Sequence, residues 1–529
     1  MRSILILMLG ACLAMPSVAG AEPANGSTMP AVRVSAPVPA PGTAPSVSPT
    51  IALSTSETKV VIDSSAGVYY TTDHTGVVEV VDLTTHAIMR AISVPGDPNA
   101  LAFDSETHRL YVGELGGSKV WVINPSTGTI LGALSGVPSE TVNALLVNTA
   151  SGTIYSYTSN NPSTEPGVLT AFDGQTLGAI ASTLTVGAVE GLAIDRSRGT
   201  LDVVEYDAYH LNASIAVLHG STLAVKKRTY YGSAIRLSGI DVDPLTNTLY
   251  VGFSGGDSYG GTSYGIYGVD GSTGAVTSTM LAYDDAQVES VYIDESRSLV
   301  YGLSSTSAFT DPAGPTGPGV ALGMVSVFSA ATKSFVEELQ VGAQSFVAGL
   351  DTMSGNLHVI NFNHGNPSVN VITPLAEQNV FRFWLPSSND HFFTMNVTEA
   401  EGILRLYPSL WRYEGVAYQA FATQESGTVP LYRFWSPDLQ GHFFTASQQE
   451  RDAVVSRYAS HVWSYEGVDF YVYPEGTSAA ATTQVARFWS PRYQQHFYTM
   501  NPAETAYIEQ YYAGEIWTFE NYNFRVPSS

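Results

Sequence analysis

The C-terminal part of this chain writes one phrase three times. Arg382-Phe383-Trp384, Arg433-Phe434-Trp435 and Arg487-Phe488-Trp489 are followed at a fixed distance by His391-Phe392-Phe393-Thr394, His442-Phe443-Phe444-Thr445 and His496-Phe497-Tyr498-Thr499. Each copy closes on Trp-x-Tyr/Phe-Glu, running Trp411 to Glu414, Trp463 to Glu466 and Trp517 to Glu520. Repetition at a period of about 50 residues means copies of one small unit that bury their apolar faces against each other.

The unit can be built residue by residue. Arg-Phe-Trp opens a strand, and Pro386, Pro437 or Pro491 breaks it into a turn. His-Phe-Phe/Tyr-Thr returns as the second half of a hairpin. Asn396 with Glu399, Ser447 with Glu450, and Asn501-Pro502 with Glu504 have the spacing of capping boxes and start a helix. Ile403 and Tyr407, Val454 and Tyr458, and Ile508 and Tyr512 are i, i+4 pairs that predict its buried face. A last strand begins at the second Trp. The sequence therefore predicts a ββαβ unit repeated around a pseudo-threefold axis over 378–529, with Asn521 in the third copy where the others have Gly415 and Gly467. This triplet resembles an uncharacterised repeat domain found at the C-terminus of secreted bacterial proteins. The resemblance implies architecture and transfers no catalytic residue.

A second, looser period fills 51–375. Apolar strands end at Asp63, Asp104, Asn148, Asp195, Asp243, Asp294 and Asp351. At one fixed offset beyond each stand Tyr69-Tyr70, Leu110-Tyr111, Ile154-Tyr155, Leu201-Asp202, Leu249-Tyr250, Val300-Tyr301 and Leu357-His358. Strands rich in Val, Ile, Leu and Tyr alternate with Gly, Asp, Ser and Thr turns, and helical periodicity is nearly absent. The prediction is a mainly β chain: a seven-bladed β-propeller of four-stranded blades, then the α+β repeats. Ile51 to Thr55 are expected to close the ring against the last blade, hiding its edge. Copies such as Leu101-Ala102-Phe103-Asp104 with Leu110-Tyr111-Val112-Gly113 resemble the YVTN-type propeller repeat of secreted and surface proteins. That resemblance implies fold and leaves activity open.

Net charge of −24 with 13% charged residues opposes nucleic acid and anionic membrane surfaces. Arg2, the apolar run from Ile4 to Ala14 and Ala19-Gly20-Ala21 form a secretory signal over 1–21, so a secreted or periplasmic location is expected. The one cysteine, Cys12, lies within it. Residues 22–50, rich in Pro, Ala and Ser, are expected to be a spacer. No stretch has the length and apolarity of a transmembrane helix.

Two sets of residues are candidates for function. In the repeats, Arg382, Trp384, His391, Arg433, Trp435, His442, Arg487, Trp489 and His496 offer stacking faces and hydrogen-bonding groups suited to a glycan or cell-wall polymer. The competing reading puts Trp and Phe in the core and pairs Arg, His and Glu with each other. Convergence of the three His on a zinc ion is a further arrangement the spacing permits. In the propeller, the residues entering each inner strand are Thr58, Asn99, Asn143, Glu190, Ser238, Glu289 and Phe346. Of these, Asn99, Asn143, Glu190 and Glu289 are the oxygen donors a divalent cation in the channel would take. That pattern resembles the channel site of propeller lactonases. Loops Thr158–Gly167, Glu205–Ala213, Gly252–Tyr264, Ser304–Gly323 and Asn361–Ser368 are expected on one rim, as a surface for a ligand or protein partner. The expectation is a binding protein with no catalytic residues and no resident cofactor. The alternative is a metal-dependent propeller hydrolase or lactonase, with the repeats as targeting module.

Overall fold

A computed structural model describes residues 45–528 except 49, 54–58, 73–74, 164, 257–261, 283–286, 306–322, 343–346, 363–366, 478–480 and 515. The signal segment and most of the expected spacer lie outside the described residues, as do Thr58 and Phe346. The chain forms two compact units, one ending at Leu375 and the other beginning at Ala376.

The first unit is a seven-bladed propeller. Its blades start with the inner strands Lys59–Asp63, Pro98–Asp104, Val142–Asn148, Ala188–Asp195, Ile235–Asp243, Val288–Asp294 and Val347–Leu350. Six blades are antiparallel sheets of four sequential strands. The repeated Asp or Asn explains the turn that follows each inner strand. Asp104 accepts from the backbone amides of Glu106 and Thr107, Asn148 from Ala150 and Ser151, and Asp243 from Leu245 and Thr246. Such side-chain mimicry of a backbone turn is why Asx residues recur there. The turn then needs one left-handed residue before the second strand. Gly67, Gly152, Gly199 and Gly355 supply it, while His108, Asn247 and Ser298 adopt φ of 53°, 57° and 53° at the same place.

The seventh blade is completed from the N-terminus. Ser46–Val47 pairs with Thr373 and Ile372, and Ile51–Ala52 with Val369 and Ser368. The closing strand thus begins earlier than expected, inside the stretch assigned to the spacer. Val47 packs on the core between blades six and seven, and Asn370 donates to the carbonyl of Ser48 at 3.1 Å. At the axis, Gly349 of blade seven approaches Val60 and Ile62 of blade one, so the ring closes. Of the rim loops, Glu205–Ala213 is mostly strand: Tyr206 pairs with Ala213 and Asp207 with Asn212. Asp207 makes the tight turn by accepting from the amides of Tyr209 and His210. Gly252–Tyr264 is likewise paired out to Gly256 and Thr262.

The second unit consists of three ββαβ repeats. Each opening strand (Glu377–Leu385, Val429–Ser436, Thr482–Ser490) pairs with a short return strand (Asp390–Thr394, Gly441–Thr445, Gln495–Thr499) and with a closing strand (Arg412–Phe421, Ser464–Pro474, Thr518–Pro527). Helices α1 (Val397–Leu406), α2 (Gln448–Arg457) and α3 (Pro502–Tyr511) bridge the two. Phe393, Phe444 and Tyr498 meet edge-on with centroids 5.7–6.0 Å apart, forming the central core. The third member keeps its hydroxyl satisfied by donating to the Phe444 carbonyl at 2.8 Å. Ile403 and Ile508 are buried as the i, i+4 pattern predicts. α2 departs from it: no residue of α2 is buried, and Tyr458 is exposed. With its polar sequence, that helix is held through its N-terminal turn and through Val454, which packs, partly buried, against Phe434 and Phe443.

Candidate functional site

The propeller candidates share one structural role. Asn99, Asn143, Glu190 and Glu289 are each the extra residue of a β-bulge in their inner strand, opposite no partner residue. Blade five shifts the bulge by one, to Gly239 rather than Ser238. Bulges re-aim a side chain at the rim of a barrel or channel. Asn99 donates its amide to the Val142 carbonyl at 2.8 Å, and Asn143 to those of Thr141 and Ser159. Glu190 lies 3.4 Å from the Arg236 guanidinium. Burial raises the pKa of both Glu190 and Glu289, and Arg236 opposes that rise for both. A cation that sequence reading overlooked, Arg236, therefore serves the two carboxylates. Among the described residues, no three His, Cys, Asp or Glu side chains are grouped to hold a metal ion.

In the repeats, the nine candidate residues are drawn into a ring of buried contacts. A β-bulge in each closing strand turns Glu414, Glu466 and Glu520 toward the Arg of the same repeat. Arg382, Arg433 and Arg487 meet them through Nε at 2.8, 2.9 and 2.8 Å. The other end of each guanidinium reaches into a different repeat. Arg433 contacts Glu399 of repeat one, Arg487 contacts Glu450 of repeat two, and Arg382 contacts Glu504 of repeat three, at 3.2, 3.0 and 3.2 Å. The helix caps make this possible. Asn396 and Ser447 accept from the amides of Glu399 and Glu450, as expected. The returning half of the box is taken by threonine: Thr394 and Thr445 accept from the cap amide and donate to the Glu carboxylate at 2.6 Å. Each Glu thereby stays free to face the next repeat.

The aromatic residues follow the same rotation. Arg382 and His391 lie on Phe497, Arg433 and His442 on Phe392, and Arg487 and His496 on Phe443. Burial holds His391 and His442 well below the usual imidazole range, with the neighbouring Arg adding to the effect. Trp384, Trp435 and Trp489 are half-buried. Trp384 donates to Asn389 at 3.0 Å beneath Arg412, while Trp435 and Trp489 pack on His442 and His496. Most of the repeated text is therefore committed to assembling the ring.

Position 390 breaks the repetition with a titratable group. Gly441 and Gln495 are its counterparts, and Gln495 donates to the Leu439 carbonyl at 2.9 Å. Burial pushes the Asp390 carboxyl up to about 7, so the folded chain binds a proton that the unfolded chain releases near pH 4. Stability falls as pH rises from about 4 to about 7 and stays low above that range. Asp390→Asn is expected to flatten that slope and to raise stability at pH 8 by on the order of 1–3 kcal/mol. Urea unfolding at pH 4 and pH 8 measures the difference, which should vanish at the lower pH.

The three inter-repeat junctions differ in openness. At the first two, the helix carboxylates Glu504 and Glu399 have side chains 6% and 11% exposed, and Asp469 adds a third carboxylate to Arg433 at 3.2 Å. At the third, Glu450 and Glu520 are 34% and 31% exposed. There the N-terminal turn of α2 and the closing strand of repeat three line a shallow, open cleft of about 400 Å³. Gln449, Glu450, Arg487, Asn521, Tyr522 and Asn523 line it. Gly415 and Gly467 adopt φ of 105° and 113°, which Asn521 does not, so an amide side chain stands where the other repeats have none. Tyr522, in place of Val416 and Val468, is 41% exposed and meets Phe519 edge-on at 5.3 Å. Of the nine candidates only Arg487 reaches this cleft. Asn521 was visible in the sequence as a departure from the repeat, and Tyr522, where the other copies have Val416 and Val468, carried the same signal.

No curated protein sequence matches the chain. Solved structures with which it shares low identity include "Kuenenia stuttgartiensis Hydrazine Synthase" (12% identity, TM-score 0.48, covering 59% of this chain and 95% of that one). A "Crystal structure of WD40 beta propeller domain of Doa1" gives 13%, 0.45, 63% and 97%. A chain of a "Crystal Structure of Mitotic Checkpoint Complex" gives 14%, 0.47, 68% and 99%. The propeller assignment rests on strand pairing within this chain. Residues 354–473, which begin within the last blade, and residues 379–527 match the family model described as a domain of unknown function, DUF5648.

Proposed function

We propose that this is a non-enzymatic binding protein of the cell envelope or exterior, in which the third inter-repeat cleft recognises a glycan. The propeller is a rigid scaffold of the kind that suits binding, and no helix among the described residues is long and apolar enough to cross a membrane. The observation that carries the reading is the asymmetry of the three junctions. Two are closed around their ion pairs, and the third has an exposed tyrosine beside three amide side chains, Gln449, Asn521 and Asn523. An aromatic face stacks on the apolar face of a sugar ring, and amides supply both donors and acceptors for its hydroxyls.

Screening the full chain against a glycan array tests this. Tyr522→Ala is expected to weaken the best hit by about tenfold or more, while Tyr465→Ala, on the closing strand of repeat two, leaves it unchanged. Absence of any hit, or equal loss in both variants, removes the cleft from consideration.

A further inference from the structure

We infer that the ligand of this cleft is a cationic amino sugar, such as a glucosamine-containing oligomer, rather than a uronate or phosphorylated glycan; this rests on the glycan reading above. The argument starts from Arg487, the only cation among the residues lining the cleft. An arginine on a cleft floor ordinarily invites a carboxylate or phosphate. Here its fork is already occupied: Nη1 and Nη2 hold the two oxygens of Glu450 at 3.0 and 3.2 Å, and Nε faces Glu520 at 2.8 Å. Its single positive charge is thus already matched by two carboxylates, Glu450 and Glu520.

The charges beside the cleft therefore sum to one excess negative. Burial tends to raise Glu520, but its contacts with His496 and Arg487 outweigh that and hold it below the ordinary carboxylate range. Burial lowers His496, against the pull of the neighbouring Glu520. Both carboxylates have side chains about a third open to solvent, more than at either other junction. An ammonium group on a sugar ring stacked against Tyr522 would meet those oxygens, and the ring hydroxyls would meet Asn521 and Asn523. The long-range field points the same way: a chain of net charge −24 attracts a cationic polymer and repels a uronate.

Isothermal titration of the full chain with three oligomers tests the inference: β-1,4-linked glucosamine, its N-acetylated form and galacturonate. The expected order is glucosamine well above N-acetylglucosamine, with galacturonate silent. Raising the pH through the amine's own pKa should abolish the gap between the first two, and raising salt should narrow it. Equal affinity for the amine and its N-acetyl form, or measurable galacturonate binding, overturns the charge argument while leaving the glycan reading intact. Silence with all three, together with an empty array, overturns both. Because Glu450→Gln disturbs the ion pair that holds α2, the pH and salt series on the unaltered chain decides the matter.

Discussion

Arg433→Met is expected to cost roughly 3–5 kcal/mol of stability in the C-terminal unit, the range found when one partner of a buried ion pair is removed. Three carboxylates, Glu399, Glu466 and Asp469, converge on that guanidinium, and all are at most 12% exposed. Burial alone would lower the Arg433 pKa; the three carboxylates outweigh it and hold the group firmly protonated. Without it, like charges face each other in a site from which water is largely excluded. The Asp469 carboxyl, already pushed up to about 7 by burial, would take up a proton first. Arg487→Met serves as the comparison, because its carboxylates retain about a third of their exposure and solvent can screen them. Chemical unfolding of both variants should show the larger loss for Arg433. An equal loss would mean that burial does not set the cost.

The second large effect concerns the propeller. A chain lacking residues 45–53 is expected to lose on the order of 10 °C in propeller melting temperature and to scatter light on heating, whereas a chain starting at residue 45 keeps both properties. The deleted residues supply the outer edge of blade seven, and their loss strips Ser368–Thr373 of its partner. An unpaired, apolar strand edge is a template for association with other chains. The Asn370 side chain would also lose the Ser48 carbonyl and the Thr50 hydroxyl. Calorimetry and light scattering on the two truncations give the comparison, and identical curves would show that closure lies elsewhere.

How far the sequence could be read depended on the range of the interaction. The blade turns were legible because Asp104, Asn148 and Asp243 bond amides two and three residues away. The helix starts were legible for the same reason. Glu205 to Asp207 were mistaken for loop, although Asp207 marks its turn just as the other aspartates do. The repeat ring was only half legible. Pairing of Arg with Glu within a repeat follows from their fixed spacing, but the second contact joins Arg382 to Glu504 across 122 positions and exists only once the ring closes. The channel mouth shows the same limit. Glu190 and Glu289 looked like metal donors because nothing local announced that Arg236, on the inner strand of a neighbouring blade, would stand beside them. The cleft was signalled by what did not repeat, Asn521 above all, and that signal is invisible to any search for a shared motif.

The rotation of the ion pairs has an evolutionary corollary. In an open solenoid each added module stacks on the last, so length can drift. Here every module hands a carboxylate to one neighbour and accepts one from the other, and the third hands its carboxylate back to the first. A pair of modules would strand one guanidinium and one carboxylate at its two ends, and a fourth could enter only by opening an existing junction. Three copies satisfy every guanidinium and every helix carboxylate, and the third junction, where residues 521 to 523 have changed, keeps its ion pairs all the same.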